Sequence, residues 1–266
     1  MEKLKSYSVV MLSFCSLSLE FLMLENAGII FPRDRLLHIL ISVALSVILI
    51  VFLERVNINN IFFKCVFLTA ILMRIIYICT GYINYFQVFH GSNTIGIIFF
   101  TIVTAIMFFW LIYENTQGIY IFFALVNLFF ILMLLVLCVK KMNVSNLYSN
   151  ELLFLFNPRK LFMLFDVISI YIIIDDKHIK FKTYRKYILI SAVFLSLITI
   201  LQGMCIGGNV LYRISPLQAL IQIISSKTIL RYGYLFTIWS AINYFGAIML
   251  YSWSIKKLIG DNHKHV

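Results

Sequence analysis

Apolar runs of about twenty residues, broken by short polar connections, recur from one end of the chain to the other. About 20 apolar residues cross a bilayer as a helix, and the pattern predicts spans near 7–30, 36–53, 60–86, 94–113, 117–139, 152–174, 186–206 and 232–254. These eight crossings make one membrane domain over 1–255, followed by a short basic cytoplasmic tail over 256–266. The third span is long enough to tilt, and its end, Gly81 to Phe86, suits the interface. One connection breaks the pattern. After Pro216, Leu217, Leu220, Ile221 and Ile224 fall at i, i+3, i+4 and i+7, one face of a helix. This connection is therefore expected to pack on the bundle as an amphipathic helix. A polar break at Ser225, Ser226 and Lys227 then leads into the last span, which carries Trp239.

Composition turns the pattern into a fold class. With 62% hydrophobic and 12% charged residues among 266, the chain is too apolar to hide its side chains in a water-soluble core. The expectation is an all-α, polytopic membrane helical bundle of about eight transmembrane helices. The 25 Phe and 15 Tyr suit lipid-facing and interfacial positions. A net charge of +11 would suggest nucleic acid in a soluble domain, but here the basic residues sit between spans, which argues for membrane topology and no nucleic acid. Lys177, Lys180, Lys182, Arg185 and Lys186 form the most basic connection, which the positive-inside rule places in the cytoplasm. An even number of spans then puts both ends inside, with Lys3 and Lys5 at one and Lys256 and Lys257 at the other, and leaves the Pro216 segment outside. Met1 to Lys5 and the apolar run after it lack a small-residue cleavage site, so they read as a first transmembrane helix.

Candidate chemistry is sparse. No nucleotide-binding glycine loop, HExxH or nucleophile elbow is present, so no catalytic residues, no enzyme activity and no cofactor are expected. The five cysteines lie in apolar spans without CxxC spacing, and His263 and His265 read as a solvated tail, so no disulfide framework and no metal site are expected. Pro32 sits in the first connection, and Pro158 either starts the sixth helix or breaks it. What remains are ionisable groups at membrane depth, which are costly and face a partner or a cavity. Glu20 and Glu25 lie in the first span, Arg74 near the middle of the third, and Asp166 well inside the sixth. Arg74 can neutralise Glu20 or Asp166 and fix helix register, or the set can bind a zwitterion or a coupling ion. Lys64 is suited to snorkelling, and Ser13, Ser16 and Ser18 to hydrogen bonds between helices.

The order of features has a counterpart. Phe165-Asp166-Val167, the basic loop up to Lys186, a seventh span, Ile214-Ser215-Pro216-Leu217, Ile224-Ser225 and Ile238-Trp239-Ser240 follow one another as in a known family. The chain resembles the B subunit of GerA-type spore germinant receptors, a branch of the amino acid-polyamine-organocation transporter superfamily. Asp166 falls where that family often has a sixth-helix Glu, Arg74 where an arginine often sits in the third, and Gly118 matches a glycine opening the fifth. The likeness is best over about 140–255. Such B subunits usually have ten spans, so the expectation is a shortened transporter-like core lacking the last two helices. Their first helix usually carries glycines, which Phe14 to Asn26 lacks, and charged positions early in the fifth are here Tyr120, Ala124 and Asn127.

The resemblance implies a subunit of the bacterial cell membrane, in the spore inner membrane. It would sense a small molecule such as an amino acid, with a germinant-receptor A subunit and a lipoprotein C subunit as partners. Glu20, Arg74 and Asp166 would bind ligand, and Pro216, Leu220 and Ile224 would mark an outer lid helix. An amino acid permease and a non-binding scaffold stay open as alternatives. Neighbouring genes for a large membrane A-type subunit and a lipoprotein would favour the receptor, and a lone gene would favour a permease or an orphan subunit.

Overall fold

The apolar runs fold as helices that turn their polar residues inward. The computed structural model describes residues 2–18, 32–56, 60–90, 98, 102, 106, 120–139, 142–147, 163–174, 177–206, 220 and 229–260. Among these are seven α-helices and no strand: α1 (Glu2–Ser18), α2 (Pro32–Leu53), α3 (Ile61–His90), α4 (Tyr120–Val139), α5 (Met163–Ile173), α6 (Lys177–Ile206) and α7 (Ile229–Gly260). Pro158, Gly118, His263, His265 and most of the fourth span lie outside the described residues. From that span Ile98, Ile102 and Ile106 are helical and exposed.

Local chemistry sets several helix starts. Pro32 is the first residue of α2 and not part of a connection, because its missing amide falls where a helix has no acceptor for it. Asn60 caps α3: its Oδ1 accepts the Phe62 amide at 2.9 Å while its carbonyl accepts that of Lys64 at 3.0 Å. Asn143 does the same for the 3-10 turn Val144–Leu147, accepting the Ser145 amide at 3.1 Å and hydroxyl at 2.7 Å.

Two boundaries differ from the sequence reading. The basic stretch from Lys177 is no loop but the first turns of α6, with Thr183, Tyr184 and Tyr187 buried and Lys182 and Arg185 exposed. Likewise α7 continues through Lys256 and Lys257 to Gly260, with Ile255 and Leu258 buried, so the tail begins helical. At 30 and 32 residues α6 and α7 are about 45 and 48 Å long, more than the roughly 30 Å of a hydrocarbon core. Their polar ends can therefore stay helical outside it.

α1 and α5 form the centre. α1 packs on α4, α5, α6 and α7, and α5 on α1, α2, α3, α6 and α7. Every residue from Asp166 to Ile174 is buried, as is α1 from Ser8 to Ser18 apart from half-buried Met11. The outer helices are two-faced. In α3, Phe67, Ile71, Arg74, Ile78 and Tyr82 point inward, while Ile61, Phe62, Met73 and Ile76 are exposed. Ile48 of α2, Val136 of α4 and Leu189 of α6 continue this apolar exterior. An apolar exterior around a largely apolar core that also encloses Arg74, Asp166 and many serines is an arrangement that a bilayer favours. Among the described residues, three helices are long and apolar enough to cross a membrane, over Ile61–Asn84, Phe181–Cys205 and Leu235–Gly260. Shorter apolar helical stretches among the described residues are Ser8–Ser18, Ile39–Leu53, Phe123–Val139 and Leu164–Ile173.

One glycine decides how closely α1 and α7 meet. A Cβ on Gly246 would lie 2.7 Å from Cys15 Cβ, 2.8 Å from its Sγ and 3.3 Å from Phe123 Cε1. Small residues permit such helix crossings in membranes. Gly246→Ala is expected to destabilise the protein by about 1–3 kcal/mol, read as a lowered melting temperature in detergent. Adding Cys15→Ala should recover only part of the loss, since the contact between the two Cβ atoms remains.

Candidate functional site

The inward stripe of α3 carries Arg74 to the centre of the bundle, where it is fully buried. Asp166 of α5 is also fully buried, and the residues just before Met163 lie outside the described ones. Between them sits the Tyr251 hydroxyl of α7: Arg74 Nε donates to it at 3.1 Å, and it donates to Asp166 Oδ1. From α1, Ser16 Oγ donates to the same carboxylate oxygen at 3.1 Å and lies 2.9 Å from the Tyr251 hydroxyl. The guanidinium carbon is also 5.5 Å from the centre of the Tyr77 ring, within cation–π range. Fully buried Tyr187 of α6 is within electrostatic reach of Asp166, Tyr251 and Arg74. An ion stripped of water is penalised by several kcal/mol unless matched by opposite charge and hydrogen bonds.

Of the residues singled out in the sequence, Arg74 and Asp166 meet in this cluster. Glu20, Glu25, Pro216, Ile224 and Ser225 lie outside the described residues. Leu220 is helical and buried against the core. Ser16 bonds between helices, whereas Ser13 donates to the Val9 carbonyl of its own helix at 2.8 Å. Sequence reasoning passed over Tyr251. Its signal was a stripe of polar and small residues in the last span, Ser240, Asn243, Ala247, Tyr251 and Ser254, spaced to share one helix face and all buried.

Two further contacts fix α7. Trp239 Nε1 donates to Asn127 Oδ1 of α4 at 3.0 Å, and Asn127 Nδ2 donates to the Phe123 carbonyl at 2.9 Å. The indole, fully buried, stacks on Phe130 at 5.3 Å and 11°. On the α3 side the Tyr82 and Tyr244 rings stack at 4.5 Å, the Tyr82 hydroxyl lies 3.4 Å from Ser240 Oγ, and Cys79 Sγ lies 3.2 Å from the Tyr244 hydroxyl.

The fold and site define an all-helical, apolar-surfaced protein with a charged and hydroxylated cluster sealed where α1, α3, α5 and α7 converge. No protein-family model, curated protein or solved structure matches the chain.

Removing one ion alone strands the other. Arg74→Met or Asp166→Leu singly should destabilise by about 3–5 kcal/mol, and the two together by less than either. Reversible unfolding in mixed detergent micelles measures this cycle.

Proposed function

We propose that this protein is the membrane subunit of a spore nutrient-germinant receptor, with an eight-span, transporter-like bundle in the bacterial cell membrane. It would sense a small zwitterion such as an amino acid. The observation that carries the reading is the convergence of Arg74, Asp166, Ser16 and Tyr251 on one buried point. The resemblance in the order of motifs from Asp166 to Trp239 supports it. So does the enclosure of α1 and α5, which correspond to the first and sixth spans, at the centre of the bundle.

An amino acid carries the same pair of charges as the cluster, in complementary order. Its carboxylate takes Arg74, its ammonium takes Asp166 and Ser16, and Tyr251 is displaced from between them. α7 then loses its tie to α3 and α5 at that level, and the bundle shifts towards a second arrangement. An A subunit and a lipoprotein C subunit would receive that shift. The permease alternative uses the same displacement to move the ligand across the membrane, and a non-binding scaffold would lack it.

The purified protein is tested against free amino acids, their N-acetyl derivatives and the corresponding decarboxylated amines. At least one free amino acid should raise the melting temperature while both of its derivatives leave it unchanged. Tyr251→Phe, which retains the ring and removes the bridge, should tighten that response. If no amino acid shifts the melting temperature and spores carrying Arg74→Gln or Asp166→Asn germinate normally, the reading is wrong. Solute accumulation in reconstituted vesicles would favour the permease.

A further inference from the structure

A second polar feature lies in the seam between α2 and α6, apart from the charged cluster. Ser46 of α2 faces Tyr187 and Ser191 of α6 across a cavity otherwise walled by apolar side chains such as Val43, Ala192 and Leu195. The space open to the centre of a water molecule is about 10 Å³, roughly what one water needs. All three hydroxyl-bearing residues are at most 2% exposed, and none of the three hydroxyls has a hydrogen-bond partner among the described residues.

Ser18, Ser169 and Tyr184 also carry buried hydroxyls without a partner among the described residues, but Ser46, Tyr187 and Ser191 line one cavity together. Hydroxyls in its helices commonly bond back to the carbonyl four residues earlier, as Ser13, Thr69, Thr199, Ser252 and Ser254 do at 2.7–2.9 Å. Ser46 and Ser191 forgo that bond and line the cavity. The Tyr184 hydroxyl lies near Ser46 and is likewise buried without a hydrogen-bond partner among the described residues. A buried hydroxyl without a partner is unfavourable by about 1–3 kcal/mol. Three of them around one water-sized space amount to a site with the two to four polar partners that an ordered water requires.

We propose that the α2–α6 cavity is a binding site for a single water molecule, held by Ser46, Tyr187 and Ser191. The water joins two helices that otherwise meet through apolar contacts there. Because Tyr187 also lies near Asp166 and Arg74, it connects this seam to the charged cluster. The inference stands independently of any ligand at that cluster.

The sign of a stability change tests it. If the water is held, Ser46→Ala, Ser191→Ala and Tyr187→Phe each remove one of its partners and should lower the melting temperature by about 2–4 °C. If the cavity is dry, each substitution removes an orphaned hydroxyl, and the melting temperature stays level or rises. Radiolytic footprinting in H₂¹⁸O supplies an independent reading on the unmodified protein. Tyr187 should be oxidised despite its burial, with slow exchange of label, and Ser191→Ala should reduce that labelling at least twofold. Absence of label at Tyr187, or level or raised melting temperatures in all three variants, overturns the proposal.

Discussion

A guanidinium without water constrains everything around it. Arg74 sits fully buried in a helix whose other face is apolar, and its charge can be accommodated only if carboxylate and hydroxyl converge on it from other helices, beside the Tyr77 ring of its own. That requirement acts at a distance in sequence. It sets the register of α5, whose Asp166 must reach the same point, and the rotation of α7, whose Tyr251 must stand between them. It also brings Ser16 of α1 close enough to share the carboxylate. Apolar packing alone would leave these helices freer to slide and rotate, because side chains of similar size substitute for one another along a lipid-facing surface.

How much of this was legible differs by kind of residue. That the described apolar runs are helices followed from run length, and the two ions stood out because ionisable groups in apolar runs are scarce. The ends of helices were harder to read. Lys177 to Lys186 read as a loop because charge was taken as an end to helix, yet a helix longer than the bilayer is thick carries its charges outside it. Pro32 read as a connection although proline is at home in a first turn. Hydroxyl-bearing partners were nearly invisible. Serine and threonine are common in apolar helices and mostly bond their own backbone, so nothing in the sequence separates Ser16, which crosses to another helix, from Ser13, which does not.

Trp239 shows how one residue can serve two arguments. In the sequence it marks a position in an order of motifs. In the fold it is the largest side chain of the core, held by Asn127 and stacked on Phe130. Those contacts would place a tryptophan here whatever the protein senses or moves, which is why the functional reading rests on the charged cluster.

The close crossing at Gly246 bears on how α7 can move. It lies between two points of attachment on the same helix, Trp239 on one side and Tyr251 on the other, about 10 and 8 Å away along the axis. With no side chain to separate the backbone from Cys15, the crossing resists both approach and lengthwise sliding. It behaves as a fulcrum. If the Tyr251 end is pushed outward, the Trp239 end is carried inward, so a displacement in the buried cluster reappears with opposite sign at the far side of the bundle.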